Sequence, residues 1–324
     1  MTVKNEVLKA LEENRGSFFS GEVLAQKLNI SRAAVWKAIN QLKKEGYNIN
    51  SVSNRGYSLS TDTDMLSKEG IIPYLRDENC KLNIEVYKTI DSTNRKAKQI
   101  AVEGDDRINI IISEEQTGGR GRRGRSFYSP QHTGIYMSIL IHPDMEMEEA
   151  TLMTTAASVA VCRALEKTTG IVPSIKWVND IFLDGRKIAG ILTEAVTDFE
   201  SGKVEGVIIG IGINFLKPEN DFPEELNHIA GYIFNKKPKD ITRNYVAAEV
   251  INEILDMIEG IRTKEFISEY KKRSMVLGKK INILSRDGNK EGEAVDIDDK
   301  GALIVKVEGE IVKLNSGEIS IRVQ

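Results

Sequence analysis

Four arginines, at positions 120, 122, 123 and 125, stand in the stretch Thr117-Gly-Gly-Arg-Gly-Arg-Arg-Gly-Arg125. No acid interrupts them, and glycines occupy 118, 119, 121 and 124. Guanidinium forks match phosphate or carboxylate bidentately, and glycine lets backbone amides approach an anion closely. Like charges at this spacing repel one another, so the residues predict a loop that an anionic ligand orders. Gly119–Gly124 also satisfies G-x-G-x-x-G, but a dinucleotide-binding fingerprint must open a helix. Here the chain runs on through Ser126-Phe-Tyr-Ser-Pro130 towards a strand. A kinase glycine loop would require H-R-D and D-F-G motifs downstream, and none follows. An RNA-binding surface loop is the alternative use of the same arginines.

Three further clusters carry polar chemistry. Lys176-Trp-Val-Asn-Asp180 closes one strand pattern and Lys187-Ile-Ala-Gly190 opens another. A lysine on a strand supplies a fixed point charge for a carboxylate or phosphate, and Gly190 leaves room for a ligand against a sheet. Ser92-Thr93-Asn94, at a predicted helix N-terminus, offers hydroxyl, amide and backbone N–H donors to a polar head group. No nucleophile–base pair stands out. The three histidines (His132, His142, His228) form no H-E-x-x-H, and Cys162 lies inside an apolar helical pattern. Cys80 and Cys162 lack C-x-x-C spacing, which argues against a zinc site or a disulfide framework and points to a reducing, cytoplasmic setting. The chemistry is therefore positioning and charge stabilisation, as in adenylyl or phosphoryl transfer, rather than covalent catalysis through the protein.

The elements that must hold these residues read as α+β. Residues 83–274 alternate strands and helices, with more hairpins than crossovers, which predicts a mixed or antiparallel sheet with helices against it. Strands are expected at 84–90, 108–113, 133–141, 174–178, 181–183, 187–195 and 204–213, with Asp184-Gly185 as a hairpin turn. From Lys279 five short alternating segments predict a small SH3-like β-barrel, 275–324, that caps the central domain or serves as a platform for a partner protein. Residues 63–82 read as a linker or a short connecting helix.

The 324 residues carry a formal charge of −3, but the charge is uneven. Residues 1–60 hold nine Lys/Arg against five Glu, a local +4, which leaves −7 on the rest. A basic N-terminal piece on a mildly acidic body predicts two tasks in one polypeptide. In residues 1–62, helices starting near Val3 and after Ser20 and Ser31 precede a hairpin around Asn54-Arg55-Gly56. That order predicts a winged helix-turn-helix, its third helix in the DNA major groove and its hairpin on phosphate or the minor groove. Arg32, Lys37, Lys43 and Arg55 are the candidate contacts; Trp36 either packs or reads DNA. The N-terminus has no apolar signal core, and no apolar run is long enough to span a bilayer, so no membrane association is expected.

Taken in order, Asp91-Ser-Thr-Asn94, Glu115-Gln116 with the arginine segment, Lys176–Asp180, Lys187–Gly190, Gly210-Ile-Gly-Ile-Asn214 and Gly317-Glu-Ile-Ser320 carry a resemblance. The chain resembles the bifunctional biotin protein ligases and biotin operon repressors over essentially its whole length. The resemblance implies a class II synthetase-like central domain and a two-step reaction. Biotin and ATP, with Mg²⁺, give biotinyl-5′-AMP; a lysine of a biotin carboxyl carrier protein then takes the biotin and AMP leaves. It implies biotin binding by Ser92, Thr93, Asn94, Gln116, Arg120, Gly121, Arg122, Lys187 and Gly190, with Lys187 and Arg122 catalytic. Arg122, Arg125, Lys176, Asn179 and Asn214 would face the adenylate, and Asp180 the Mg²⁺. It also implies a homodimer, favoured by biotinyl-AMP, that binds operator DNA. Two alternatives stay open: a biotin-responsive transcription factor without ligase activity, and a lipoate-type ligase, which the arginine segment disfavours. The sequence departs from the family pattern at Val178, where proline is common, and at Phe127, where tryptophan is common. Phe222 is a guess for the residue that packs on adenine.

Overall fold

The computed structural model describes residues 2–76, 82–143, 150–197, 204–284, 289–315 and 318–321. Cys80, Gly317 and the expected turn at 286–288 lie outside them. The chain divides into two compact units. One combines Met1–Asn79 with Lys237–Ala248, and the other combines Cys80–Lys236 with Glu249–Gln324.

In the N-terminal unit, α1 (Val3–Glu12), α2 (Gly21–Leu28) and α3 (Arg32–Glu45) are each opened by a hydroxyl side chain. Thr2, Ser20 and Ser31 accept from the amides of Asn5, Val23 and Ala34, satisfying N–H groups that a helix leaves orphaned. Asn29 and Gly46 end α2 and α3 in the left-handed region. Val35, Ala38, Ile39 and Leu42 are the buried stripe of α3, and they share one core with Val7, Leu8 and Leu11 of α1 and Leu24 of α2. The wing is the antiparallel pair β1 (Ile49–Val52) and β2 (Gly56–Leu59). Gly56 is required there: φ is +97°, and a Cβ would lie 2.0 Å from the carbonyl oxygen of Phe19, which bridges to Tyr57. The stretch expected as linker contains a one-turn helix, α4 (Lys68–Ile71), opened by Ser67.

The second unit is built on a seven-stranded mixed sheet. Its strands are β3 (Leu82–Tyr87), β4 (Ile108–Ser113), β5 (Gly134–Ile141), β6 (Ser174–Lys176), β7 (Asp180–Leu183), β8 (Arg186–Thr197) and β9 (Val204–Asn214). Their order is β3-β4-β5-β9-β8-β7-β6. Only β3 and β4 run parallel, joined through α5 (Thr93–Val102); the other neighbours are antiparallel. This is the mixed α+β sheet that the excess of hairpins predicted. The middle strands β5 and β9 are buried almost throughout, as apolar runs covered on both faces must be. Helix α6 (Ala150–Thr169) packs on β8, and α7 (Arg243–Glu259) follows the sheet in the chain. Helix α8 (Phe266–Arg273) was not anticipated; three buried residues, Phe266, Ile267 and Tyr270, are its whole apolar signal.

The C-terminal strands are β10 (Lys280–Leu284), β11 (Lys290–Ile297), β12 (Leu303–Val307), β13 (Glu310–Leu314) and β14 (Glu318–Ile321). They form the expected five-stranded antiparallel domain in the order β13-β12-β11-β10-β14. Among the described residues β13 and β14 stay unpaired with each other, so the closure of an SH3-like barrel is not part of the observed register. This domain is keyed to the rest of its unit by Trp177, whose Nε1 donates to the Gly301 carbonyl at 3.0 Å.

Candidate functional site

The floor of the site is a row across the sheet. Asp180 pairs with Gly190, Gly190 with Gly212, and Gly212 with Tyr136. Two glycines side by side leave a trough where side chains would otherwise stand. A Cβ on Gly212 would lie 2.5 Å from the Phe127 ring, and one on Gly210 would lie 2.1 Å from Asn94 Oδ1. At Gly190 it would meet Lys187 Nζ at 3.1 Å and Phe127 at 3.5 Å. Phe127 therefore keeps an apolar ring over the trough, set edge-on to Tyr136 with centroids 6.4 Å apart.

Lys187 stands at one side. Its backbone exchanges hydrogen bonds with Ile229 and Gly231, and its ammonium lies 2.6 Å from Asp180 Oδ1. That oxygen is buried and meets no hydrogen bond of regular geometry, so the ion pair compensates it by charge rather than by alignment. The pairing is a consequence of register. The Asp184-Gly185 hairpin, with φ of +50° and +75°, places Lys187 opposite Phe182, and an irregularity between Ile181 and Phe182 sets Asp180 opposite Gly190. Asn214 anchors the same loop by donating from Nδ2 to the Gly231 carbonyl at 2.9 Å.

The opposite side is the start of α5. Ser92 occupies the N-cap position without a side-chain capping bond, and its amide donates instead to Asp91 Oδ1 at 2.6 Å. The Thr93 amide and hydroxyl both donate to Gln116 Oε1, at 2.9 and 3.1 Å. Gln116 Nε2 donates in turn to Ser129 Oγ at 3.1 Å. Asn94 is engaged inside the protein: Ser138 Oγ donates to its Oδ1 at 2.6 Å, and its Nδ2 donates to Glu194 Oε2 at 2.6 Å. Ser138, Ser129 and Glu194 escaped the sequence reading. Each sits in an ordinary strand or loop pattern, and only the fold brings it to the motif.

The arginine segment joins the trough through Asn179. Arg122 Nη1 donates to Asn179 Oδ1 at 3.3 Å, while Asn179 Nδ2 donates to the Ile191 carbonyl at 2.8 Å. The loop is nearly free of regular structure. Gly121 N donates to the Arg125 carbonyl, Arg120 bridges to Ser126, and Arg123 takes a left-handed φ of +56°. Arg120, Arg123 and Arg125 are exposed. Lys176 lies over the Phe182 ring, 5.8 Å from its centroid. The Trp177-Val178 peptide is cis. Phe222 stacks on Tyr232 and meets Tyr128 edge-on, in a cluster of aromatic side chains of this chain. Cys162 is fully buried in α6, and burial pushes its thiol up to about 12, so it is a core residue without nucleophilic character.

Among the described residues no three His, Cys, Asp or Glu side chains converge, and Asp180 is tied to Lys187. Mg²⁺ keeps several waters and is commonly held by one or two carboxylates plus substrate phosphates. Asp180 fits the role of a single carboxylate beside phosphates, and the described residues alone build no cage.

On the N-terminal unit Arg32, Lys37, Lys43 and Arg55 are all exposed. Lys43 Nζ donates to Ser51 Oγ at 2.7 Å, tying α3 to the wing. Arg55 lies over the Phe18 ring at 4.3 Å, and Arg32 is 3.6 Å from Glu22. Trp36 is 61% exposed, so it does not pack within its unit.

A mixed sheet with a cationic loop and a strand lysine over a glycine trough, joined to a helix-turn-helix and a small β domain, defines a class. Residues 86–214 match the biotin/lipoate A/B protein ligase family, 3–58 an HTH domain, and 276–322 the biotin protein ligase C-terminal domain. The bifunctional ligase/repressor BirA of Bacillus subtilis is 32% identical over 99% of both chains. The protein of the same description from Escherichia coli is 29% identical over 95% of this chain and 94% of its own. Among solved structures, the biotin protein ligase of Aquifex aeolicus in complex with biotin and ATP superposes with a TM-score of 0.63. It is 29% identical and covers 75% of this chain and 99% of its own. The chain belongs to the bifunctional ligase/repressor family.

Proposed function

We propose that this protein activates biotin with ATP and transfers it to a lysine of a biotin carboxyl carrier protein, and that the intermediate makes it a repressor of biotin genes. Lys187 beside the Gly190–Gly212 trough carries the reading of the ligase site. In the first step a biotin carboxylate oxygen attacks the α-phosphorus of ATP, the bond to the β,γ-phosphates breaks, and pyrophosphate leaves. Lys187 exchanges Asp180 for the biotin carboxylate and holds that oxygen against the α-phosphate, where charge develops. Thr93, Gln116 and the start of α5 face the biotin head group, and Phe127 covers its apolar body. Arg122, held at Asn179, and Arg125 face the phosphate. In the second step the acceptor amine attacks the acyl carbon, AMP departs, and the amine loses a proton.

Asp180, once released from Lys187, would hold a Mg²⁺ carried in with ATP, which would supply neutralisation of the phosphate charge. The arginine loop closes on the adenylate and so lowers its escape as a reactive acyl donor. Arg32, Lys37, Lys43 and Arg55 contact operator DNA, and the adenylate-loaded protein binds it as a homodimer. No described helix is long and apolar enough to cross a membrane.

The test is ATP–pyrophosphate exchange with biotin, lipoate and octanoate supplied in parallel. Exchange supported by biotin alone is the expected result. Exchange with lipoate or octanoate and not with biotin would overturn the substrate assignment. Absence of exchange with all three would leave a ligand-responsive DNA-binding protein.

A further inference from the structure

The largest fully buried side chain described is a cation, Arg243, 1% exposed at the start of α7. It belongs to the segment Lys237–Ala248 that completes the N-terminal unit, remote in sequence from the helix-turn-helix. Arg243 N donates to Asp64 Oδ1 at 2.8 Å, its Nε to Asp64 Oδ2 at 3.1 Å, and its Nη2 to the Asp64 carbonyl. The next residue, Asn244, also 1% exposed, accepts from the Ser67 amide at 3.0 Å and donates to the Met65 carbonyl at 2.8 Å. Between them the two side chains hold the backbone of residues 64–67.

That stretch reaches the DNA-reading elements. Thr63 accepts from Arg15 at 2.7 Å through its carbonyl and donates from its hydroxyl to the Asn48 carbonyl, at the foot of the wing. Arg15 is paired with buried Glu12 of α1 at 2.6 Å. Met65 packs on the three-helix core and lies against Gly46, where α3 ends. The chain from Arg243 to the end of the recognition helix and the base of the wing is thus continuous. A buried ion pair is weak evidence for stability, because desolvation offsets much of its attraction, but its forked bonds fix one orientation.

We infer that Arg243 and Asn244 are positioning residues for DNA recognition, which set α3 and the wing relative to each other by clamping residues 64–67. The inference rests on the N-terminal unit being the DNA reader. It adds that this reader is incomplete when cut after the helix-turn-helix.

The experiment uses the full chain. A DNA duplex is first enriched from a random pool by the wild-type protein with biotin and ATP present, and affinities for it are compared at one salt concentration. In the double variant Asp64→Leu/Arg243→Met an apolar pair replaces the ion pair, so the unit keeps its melting temperature. It is expected to bind the duplex about tenfold more weakly, within the range typical of coupling between sites. Biotin-dependent pyrophosphate exchange is expected to be unchanged. Arg243→Lys, which keeps the charge and loses the fork, and Asn244→Ala are expected to weaken binding in the same direction. Wild-type affinity in a double variant of unchanged melting temperature, or in Arg243→Lys should the double variant melt early, overturns the positioning role. If the wild-type protein enriches no sequence at all, the DNA-reading assignment falls and takes this inference with it.

Discussion

Two cation-rich segments of this chain are built on opposite principles. The recognition helix α3 presents Arg32, Lys37 and Lys43 from a regular, capped scaffold whose other face is core. The arginine segment has a left-handed Arg123, reaches the sheet through the contact from Arg122 to Asn179, and leaves Arg120, Arg123 and Arg125 exposed. An extended polyanion such as DNA presents phosphates at fixed spacing, so a rigid array suits it. A small anionic intermediate must enter and leave, so a loop whose order depends on the anion suits it. On the proposed reading, the difference separates a surface that is ready before binding from one that binding completes.

The largest effect expected on either side is at the point where charge develops. Lys187→Ala should lower biotin-dependent pyrophosphate exchange on the order of a thousandfold, as loss of a fixed transition-state donor does. DNA affinity in the absence of biotin should not change, because α3 and the wing lie in the other unit. Exchange near the wild-type rate would remove Lys187 from the reaction.

Arg122→Gly tests the loop itself. It removes the guanidinium that Asn179 orients and leaves the trough untouched. Dissociation of biotinyl-AMP should accelerate about tenfold or more, the scale of a hydrogen bond to a charged group. Promiscuous acylation of free amines would accompany it. An unchanged off-rate measured by rapid dilution would mean that the loop gains nothing from the anion.

Much of this architecture was legible in the residues because local signals agreed. Hydroxyl caps before α2 and α3, the 3-and-4 spacing of Val35, Ala38, Ile39 and Leu42, and the Asp184-Gly185 turn each specify an element without tertiary help. The trough was partly legible, since Gly190 and Gly212 stand in motifs, but their pairing across β8 and β9 is a matter of register. What stayed hidden depends on distant partners. Glu194 became visible only when the sheet carried it to Asn94, and the pairing of Asp180 with Lys187 only when the strand register was in place. The partners of Arg243 lie nearly 180 residues away. An arginine opening a helix carries no mark of burial in its own neighbourhood, and a polar stretch such as 61–67 reads as a linker until its clamp is seen.

A smaller effect is expected from Lys37→Ala on the helix side of the comparison. If Lys37 meets a phosphate, affinity should fall about equally for all sequences and the slope of log K against log salt should shrink by about one. Exchange activity should stay as it was. A change confined to one base position would convert Lys37 from a phosphate contact into a base contact.

The smallest expected effect concerns the scaffold that makes the helix side rigid. Burial pushes the Glu12 carboxyl above its ordinary value of 4.5, against the lowering influence of its hydrogen bond from Arg15. The folded N-terminal unit therefore holds a proton on Glu12 that the unfolded chain has already lost at the same pH. Stability from this group is fully present below 4.5 and is lost as pH rises through the folded value, so the unit should melt higher as pH falls from neutral towards 4.5. Glu12→Gln should flatten that rise, because the amide cannot titrate, while the pH dependence of the other unit stays unchanged. A wild-type N-terminal transition that weakens over the same window would mean that Arg15 outweighs burial. Glu12 would then be a charged partner, and the rigidity of the DNA-reading unit would draw on that ion pair rather than on a neutral contact.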